Sequence, residues 1–309
     1  MMWWRTIRPR LLHHLPAESV LEIAPGYGRW TSFLLSDCTR LVGIDVTARC
    51  VEVCAQRFPD SRAAFYVNDG QTLPMVAPAS IDLAFSLDSL VHVEAPQVET
   101  YLQELARVLR PGGAAFLHHS NLGAYADGTG AIPAWVGERH WRAPSMSAAL
   151  FRAASRRAGL RCVSQEVINW IGRDADVDRF RLPTRHIALT DCFSLCVRPA
   201  DQHEAPTRVL VNRHFVEEWR EMIALTATWG EADLRLDDEP GAGRTPPSGG
   251  RLRTIAATAR QRWRGRRFAA RERVVRTLAS GTCPDCESRI VVEGPVRSCR
   301  QCHVQFTVR

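Results

Sequence analysis

Short apolar runs alternate with amphipathic segments along the first 120 residues of the chain. The runs VLEIAP, RLVGIDV, AAFYVND, IDLAFSL and AAFLHHS are typical of strands, and the segments GRWTSFLLSDC, ARCVEVCAQRF and APQVETYLQELARVLRPGG are typical of helices. Strands separated by helices at this spacing predict a parallel sheet covered by helices on both faces. The fold class is therefore α/β, and ligands are expected beyond the carboxyl ends of the strands.

The second half begins with a segment rich in Gly and Trp, residues 121–142, which is longer than an ordinary connection. We expect it to cover a substrate. Beyond it, SMSAALFRAASRRAG predicts a helix that begins at a Ser cap, LRCVSQEVI and ALTDCFSLCVR predict strands, and NRHFVEEWREMIALTATWG predicts a last helix. A stretch dense in Gly, Pro and Ser then indicates a linker. The predicted divisions are a main domain over 1–230, a linker over 231–250, an Arg-rich helix over 251–280 and a small module over 281–309.

The positive charge of the chain is concentrated in one segment. The formal net charge is +7 over 309 residues, and between Arg244 and Arg276 there are eleven arginines and a single glutamate. The overall basicity therefore describes this segment and says little about the surface of the main domain.

The same segment has an apolar stripe at helical spacing, with arginines around the remainder of the helix. One interpretation is that residues 244–276 contact a polyanion such as RNA, DNA, an acidic glycan or a lipid surface. The alternative is a helix that packs its apolar stripe on the main domain and keeps its guanidinium groups in water. The sequence leaves both open.

No stretch of the chain approaches the about 18 apolar residues of a membrane-spanning helix, and the N-terminal segment lacks the pattern of a signal peptide. The prediction is a cytoplasmic protein without a transmembrane segment. In that reducing compartment the six scattered cysteines are expected to be buried thiols rather than disulfides. They are Cys38, Cys50, Cys54, Cys162, Cys192 and Cys196.

The stretch VLEIAPGYGRW places a carboxylate, Glu22, inside an apolar strand and two glycines in the turn that follows. Such a turn lets a ligand approach the backbone closely and directs a helix N-terminus at it, which suits a dinucleotide or S-adenosylmethionine (SAM). The dinucleotide spacing G-x-G-x-x-G is not met, because Trp30 and Thr31 stand where the last glycine should come. A buried acid at this place can face the ammonium group of an amino-acid-like ligand.

Five motifs in order resemble those of the class I SAM-dependent methyltransferases. VLEIAPGYGRW is similar to the first motif, LVGID to the second strand, VNDG to the third, IDLAFSLDSLVHV to the fourth, and ELARVLRPGGAAFLHHS to the following helix and fifth strand. The resemblance covers roughly residues 16–199. It implies a Rossmann-like SAM-methyltransferase sheet with helices on both faces, to which the linker, the basic helix and the C-terminal module are added.

The resemblance also implies which residues bind SAM. Asp45 would accept hydrogen bonds from the two ribose hydroxyls, and Asp69 would lie beside the adenine amino group. The other implied positions are Glu22, Ala24, Gly26, Gly28, Val46, Asn68, Gly70, Ser86 and Leu87. For each acid the alternative is a helix cap or a solvated strand end.

Four polar side chains follow or end the fourth and fifth strands, where a base for methyl transfer is expected. They are Asp88, His92, His118 and His119. Methyl transfer needs in-line alignment and, for a hydroxyl acceptor, removal of a proton, a role that suits histidine. Alternation along a strand sends His118 and His119 to opposite faces, so at most one should face an acceptor. We expect His119 and His92 to be the candidate bases. Asp88 would orient one of them or help to hold the acceptor, and a divalent metal bound by Asp88 is one way in which it could hold the acceptor.

Within the superfamily, FSLDSLVHVE, FLHHSNLGAY, HWRAPSMSA and LTDCFSL resemble a branch linked to surface-polysaccharide and glycan biosynthesis. This resemblance implies a hydroxyl of a saccharide or glycosylated metabolite as the acceptor. Trp135 and Trp141 would then stack on sugar faces. The alternative for both is that they pack the long segment on the domain.

Two other functions are retained. A nucleic-acid methyltransferase would use the basic helix and the C-terminal module to deliver substrate, although SLDSL replaces the Asn-Pro-Pro-Tyr expected for adenine-N6 chemistry. A binding protein with a degenerate SAM fold is the third, and the intact SAM motifs count against it.

The C-terminal segment CPDCESRIVVEGPVRSCRQC contains two C-x-x-C pairs with twelve residues between them. The pairs are Cys283 with Cys286 and Cys299 with Cys302, and they can hold a tetrahedral zinc ion while RIVVEGPVRS forms a hairpin. The segment resembles a zinc ribbon; a redox role would call for a βαβ unit around one pair. A module this small needs its metal to fold, so a structural Zn²⁺ is predicted, with His303 a bystander.

Overall fold

The computed structural model describes residues 2–133, 136, 141–170, 188–200, 205–216, 218, 281–283, 286, 288–293 and 296–308. The predicted linker, the Arg-rich helix with its segment 244–276, most of the predicted last helix and Trp135 lie outside the described residues.

Strands and helices alternate between residues 17 and 120, as the apolar pattern predicts. They are β1 (Ala17–Ile23), α2 (Thr31–Ser36), β2 (Cys38–Asp45), α3 (Ala48–Arg57), β3 (Ala63–Val67), β4 (Ile81–Ser86), α4 (Ala95–Val108) and β5 (Leu109–Ser120). A 3₁₀ turn, Leu90–His92, connects β4 to α4. The predicted boundary between α4 and β5 was wrong, because the helix ends at Val108 and the Pro-Gly-Gly segment already belongs to β5.

An N-terminal helical segment precedes this alternation and was not predicted. It consists of a π-helical turn, Trp3–Ile7, and α1, Arg8–Leu11. Trp3, Ile7 and Leu11 are fully buried at i, i+4, i+8 spacing, which is the one sequence signal that could have indicated this helix. The indole of Trp3 stacks on Phe33 at 5.6 Å between ring centroids.

After the long segment the structure continues with α5 (Ala148–Arg157), β6 (Arg161–Ile168), β7 (Asp191–Val197) and β8 (Thr207–Asn212). The predicted Ser cap of α5 is confirmed, since the Ser147 hydroxyl accepts from the backbone N–H of Leu150 at 3.1 Å. The short apolar run that forms β8 was not predicted to be a strand.

The described strands form one sheet in the order β3-β2-β1-β4-β5-β7-β6-β8-β11-β10-β9, whose last three strands are β11 (Val304–Val308), β10 (Val296–Cys299) and β9 (Val291–Glu293). Strands β1 to β5 pair in parallel, and β7 runs antiparallel to both β5 and β6. The chain order reverses between β1 and β4, so the carboxyl ends of these two strands mark the place where such sheets bind ligands.

Each face of the sheet is covered by its own apolar cluster. One cluster packs against α4 and α5 and includes Leu102, Leu105 and Phe151. The other packs against the N-terminal helices and α2 and includes Trp3 and Trp30. The α/β fold class with helices on both faces is therefore confirmed.

The C-terminal module continues the same sheet. It contributes β9 (Val291–Glu293), β10 (Val296–Cys299) and β11 (Val304–Val308), and β9 with β10 is the predicted hairpin. Strand β11 pairs in parallel with β8, from Val304 opposite Thr207 to Val308 opposite Val211. A shared cluster joins Ile290, Val304 and Phe306 to Val209 and Val211, so the module and the main sheet have one core at this edge.

None of the helices in the described part of the chain has the length and apolar character needed to cross a bilayer. Cys38, Cys54, Cys162, Cys192 and Cys196 are buried free thiols, and Cys50 is a partly exposed one. The five buried thiols therefore pack as small apolar side chains, as predicted, and Cys50 is the exception.

Candidate active site

The turn after β1 adopts a conformation that favours glycine. Gly26 has a φ of +57° and Gly28 a φ of +80°, and a Cβ placed on Gly28 would lie 2.3 Å from the Phe58 ring. Ala24, which opens the turn, also has a positive φ of 57°. The turn therefore exposes backbone rather than side chains towards the carboxyl edge of the sheet.

Asp45, the last residue of β2, closes this turn. Its Oδ2 accepts from the backbone N–H of Gly26 at 3.1 Å, and its Oδ1 accepts from Thr47 N–H at 2.9 Å. The residue is 6% exposed, whereas the neighbouring Val46 is 60% exposed. A buried carboxylate thus lies beside an apolar side chain open to a ligand.

Glu22 lies within β1 and is buried. Its Oε2 accepts from the Thr31 hydroxyl at 2.6 Å, while Oε1 is buried without a hydrogen-bond partner. Burial raises the pKa of Glu22 to about 8, because the charged form loses its hydration and the Thr31 hydrogen bond compensates only in part. A cationic group beside Oε1 would supply the missing partner.

Asn68 and Asp69 follow β3. The Asn68 Nδ2 donates to the Tyr101 hydroxyl at 3.0 Å, but its Oδ1 is buried without a partner. The Asp69 carboxylate accepts from the backbone N–H groups of Gln71 and Thr72, which lowers its pKa. Asp69 thus caps its own turn, which was the alternative for this acid, and the neighbouring Asn68 offers the unpartnered acceptor.

Ser86 ends β4 and Leu87 follows it; both are buried. The Ser86 Oγ has no hydrogen-bond partner. Unpartnered polar atoms therefore lie at the carboxyl ends of three strands: Glu22 Oε1 at β1, Asn68 Oδ1 at β3 and Ser86 Oγ at β4. Buried polar atoms are normally hydrogen-bonded, so this grouping indicates a place for a polar ligand.

The segment after β4 connects this edge to the candidate bases. The Ser89 hydroxyl donates to the Ala24 carbonyl at 3.4 Å, which places the segment beside the β1 turn. Asp88 has a φ of +62°, unusual for a residue other than glycine, and its side chain is partly exposed.

His92 is exposed in the 3₁₀ turn. Its Nδ1 lies 3.0 Å from the carbonyl oxygen of Trp141. A carbonyl oxygen only accepts, so the imidazole proton is on Nδ1 and Nε2 keeps its lone pair. His92 is thus the candidate base with an available nitrogen.

His118 is fully buried, and both of its nitrogens are used. The Asp88 backbone N–H donates to Nδ1 at 3.1 Å, and Nε2 lies 3.0 Å from Asp191 Oδ2. Since Nδ1 accepts, the proton is on Nε2 and is donated to Asp191. His118 therefore orients Asp88 and is not available to remove a proton from an acceptor.

His119 is also fully buried, on the opposite face as the strand alternation predicts. Its ring stacks on Phe151 at 4.1 Å, Nδ1 donates to the Ser120 carbonyl and Nε2 accepts from the Ser194 hydroxyl. Burial lowers the pKa of His119 to about 3. The structure therefore removes His119 from the candidate bases, because it is a neutral core residue without a free nitrogen.

Sequence reasoning missed two charged residues beneath this edge, Arg142 and Asp191. They form a buried ion pair in which Arg142 Nη2 lies 2.7 Å from Asp191 Oδ2. The available signal was an acid inside the apolar run ALTDCFSL, the same signal that identified Glu22. Next to Arg142, the Trp141 side chain is 92% exposed, so it does not pack on the domain.

The four cysteines of the C-terminal module form a cluster whose sulfur atoms all lie within 4.8 Å of one another. The Sγ atoms of Cys286 and Cys299 are 3.6 Å apart, and those of Cys283 and Cys302 are 4.0 Å apart. A tetrahedral zinc ion with bonds of about 2.3 Å sets sulfur atoms about 3.8 Å apart, so the cluster has the dimensions of such a site. His303 contributes its backbone carbonyl, which accepts from Thr207 N–H at 2.8 Å.

Residues 20–113 match a family model described as a methyltransferase domain. The match extends from β1 into β5, and the Rossmann-like order of strands in this region agrees with the expected fold.

Two curated relatives cover part of the chain. Biotin biosynthesis bifunctional protein BioHC of Cellvibrio japonicus is 34% identical over 117 residues, 37% of this chain and 22% of that protein. A fatty-acid O-methyltransferase of Mycolicibacterium smegmatis is 29% identical over 102 residues, 31% of this chain and 35% of that protein. The chain thus spans about a fifth to a third of the length of these relatives.

Among solved structures, a SAM-dependent methyltransferase from Mesorhizobium loti is similar, with a TM-score of 0.48 and 16% identity. The match covers 64% of this chain and 98% of that one.

Proposed function

We propose that the protein is a SAM-dependent methyltransferase that transfers the methyl group to a hydroxyl oxygen. The observation that carries this proposal is the set of unpartnered buried atoms at the carboxyl ends of three strands of the matched domain, Glu22 Oε1 at β1, Asn68 Oδ1 at β3 and Ser86 Oγ at β4. SAM offers an ammonium, ribose hydroxyls and an adenine, which need such partners.

Different residues around the turn contact different parts of SAM. Glu22 faces the ammonium group, whose charge compensates the buried carboxylate. Asp45 keeps lone pairs for the ribose hydroxyls in addition to the two backbone N–H groups it holds. Asn68 Oδ1 accepts from the adenine amino group, and the exposed side chain of Val46 packs on the adenine ring.

SAM supplies a methyl group on a sulfonium that is already activated for displacement. The protein has to align an acceptor oxygen and take its proton. His92 does this with Nε2, the nitrogen left free by the hydrogen bond of Nδ1 to Trp141. Asp88, whose carboxylate is partly exposed, holds an acceptor hydroxyl.

The acceptor we favour is a hydroxyl of a saccharide or glycosylated metabolite. The exposed indole of Trp141 supports this choice, because an aromatic ring can stack on the apolar face of a sugar. The name of the fatty-acid O-methyltransferase supports a second candidate, a carboxylate acceptor. The two chemistries differ in a testable way, since a carboxylate is already deprotonated at neutral pH and needs no base.

A structural zinc ion on Cys283, Cys286, Cys299 and Cys302 is part of the proposal. The spacing of the sulfur atoms supports it. The metal would stabilise the ribbon strands and, through the pairing of β11 with β8, the edge of the main sheet. A cytoplasmic location fits the buried free thiols of Cys38, Cys54, Cys162, Cys192 and Cys196. Contact of residues 244–276 with a polyanion is retained as a proposal from the sequence.

The test combines binding and labelling. Isothermal titration calorimetry with SAM should give a dissociation constant in the micromolar range, and absence of binding would refute the proposal. Methyl-labelled SAM, purified protein and a fractionated extract of cells lacking the gene then identify the acceptor. Label in glycan or in a glycosylated metabolite supports the favoured acceptor, label in lipid supports the carboxylate, and nuclease-sensitive label points to nucleic-acid methylation.

A further inference from the structure

A set of buried charges lies beneath the candidate base, and the proposed reaction does not use it. Asp191, the first residue of β7, is fully buried and is bound at two points by Arg142, whose Nε donates to Oδ1 at 2.9 Å and Nη2 to Oδ2 at 2.7 Å. His118 donates to the same Oδ2 at 3.0 Å. Removing two opposite charges from water is costly unless they are closely paired, so this arrangement must keep its geometry.

Both partners of Asp191 reach Asp88. His118 accepts from the Asp88 backbone N–H at 3.1 Å, and Arg142 Nη2 lies 3.8 Å from Asp88 Oδ1. The left-handed backbone of Asp88 is strained for a residue with a Cβ. Contacts on both its main chain and its side chain hold it in that conformation.

Arg142 also anchors a second strained residue. Trp141, directly before it, has a φ of +52°. The Trp141 carbonyl accepts from His92 Nδ1 at 3.0 Å, and Ala143, directly after Arg142, donates its N–H to the Val91 carbonyl at 2.9 Å. The residues on both sides of Arg142 are therefore fixed to the 3₁₀ turn that carries His92.

We infer that the Arg142–Asp191 ion pair is a positioning device for His92. The ion pair holds the Trp141 carbonyl within hydrogen-bond distance of His92. The carbonyl then fixes the His92 proton on Nδ1, so Nε2 stays free to take a proton. This inference rests on the proposed function, in which His92 is the base. Arg142 and Asp191 are positioning residues, since they act on the acceptor only through His92 and Asp88.

The tautomer of His92 can be measured without knowing the acceptor. Protein labelled with ¹⁵N-histidine is studied by two-bond ¹H–¹⁵N correlation at alkaline pH, where imidazoles are neutral, with assignments from His92→Gln and His118→Gln. In the unaltered protein His92 should carry its proton on Nδ1 and His118 on Nε2. In Asp191→Asn the negative charge that holds Arg142 is lost. His92 should then become a mixture of the two tautomers, while SAM affinity stays unchanged.

The matched control is Asp82→Asn. Asp82 is another buried carboxylate, near the opposite end of β4, where it accepts from the backbone N–H and hydroxyl of Ser19 at 2.7 and 2.8 Å. This variant should lower the melting temperature and leave the His92 tautomer as it was. A His92 tautomer that is unchanged in Asp191→Asn, or equally mixed in both variants, would overturn the inference.

If Asp191→Asn does not fold, Arg142→Lys provides the second variant, because it keeps the positive charge and loses the two-point geometry. Partial mixing of the His92 tautomers is expected, and an unchanged tautomer contradicts the inference. The proposed function is tested separately: lack of SAM binding by the unaltered protein would refute methyl transfer, and full methyl transfer by His92→Gln would refute the role of His92 as base, whatever the tautomers show.

Discussion

Asp45 and Gly26 are joined by a hydrogen bond of 3.1 Å from the glycine N–H to the carboxylate Oδ2, so the end of β2 fixes the turn that ends β1. One carboxylate thereby both shapes the turn and offers its remaining lone pairs to a ligand. The two strands are adjacent and parallel, which is why residues nineteen positions apart meet here.

Asp45→Ala should weaken SAM binding about ten- to a hundredfold. The ribose hydroxyls lose a charged acceptor worth about 1.5–3 kcal/mol. Calorimetry gives the dissociation constant. Asp60→Ala, which removes an exposed carboxylate paired with Arg62, is the control and should leave the affinity unchanged. Equal affinity of the Asp45 variant and the unaltered protein would refute the alignment of LVGID with the ribose-binding motif.

Glu22→Gln should remove a pH dependence of stability. The pKa of Glu22 is about 8 in the folded chain against an ordinary value of 4.5, so deprotonation favours unfolding and ligand-free stability should fall as the pH rises from 4.5 towards 8. Denaturant unfolding across this range measures the slope. Glu18→Gln, an exposed acid in the same strand, should keep the slope of the unaltered protein.

The same carboxylate should couple SAM binding to proton release. Below pH 8 Glu22 is protonated in the ligand-free protein, and the ammonium group of SAM favours its ionised form. Calorimetry at neutral pH in buffers of different ionisation enthalpy should report a proton released on binding by the unaltered protein and none by Glu22→Gln. Absence of release in both proteins would mean that Oε1 does not face the ammonium group.

His92→Gln should lower kcat by about 10²–10⁴ when the acceptor is a hydroxyl, because the general base is lost, and should leave SAM affinity unchanged. His13→Gln, an exposed histidine beyond α1, is the matched control. The acceptor found by labelling serves as substrate for the rate measurement. An unaltered kcat would instead favour an acceptor that needs no base, such as a carboxylate.

Replacing Cys283 and Cys299 by Ser should release one bound zinc ion per chain and destabilise more than the C-terminal module. Since β11 pairs with β8, hydrogen exchange should accelerate in β8 and β6. SAM affinity should persist, because four strands separate β11 from β4. Cys50→Ser, a thiol on α3, should change none of these. If the backbone amides of β8 remain protected from hydrogen exchange after metal loss, the metal stabilises the C-terminal module alone.

His119→Gln should reduce the acid sensitivity of the fold. The pKa of His119 is about 3 in the folded chain against an ordinary value of 6.5, so protonation favours the unfolded chain and stability should fall as the pH drops from 6.5 towards 3. Unfolding free energies at several pH values should show a shallower slope in the variant. His13→Gln should retain the full slope, and a full slope in His119→Gln would place the acid sensitivity elsewhere.

The positions of Glu22, Asp45 and Ser86 could be predicted, because the repeat of strand and helix alone brings the carboxyl ends of parallel strands to one edge. The role of His119 could not. Alternation separates it from His118, but only the packing of α5 decides that its face is closed by Phe151. Asp191 reaches the site because β7 returns antiparallel beside β5, a pairing between residues far apart in the chain that no local pattern indicates.

The pairing of β11 with β8 has a consequence for self-association. Without the C-terminal module, β8 would be an edge strand of the described sheet, with exposed N–H and carbonyl groups and the apolar side chains of Val209 and Val211. Such a strand is a template for another copy of the chain. With the module in place, the edge strand at this side of the described sheet is β9, whose three residues are too few to support extended pairing. Metal loss should therefore first appear as concentration-dependent aggregation.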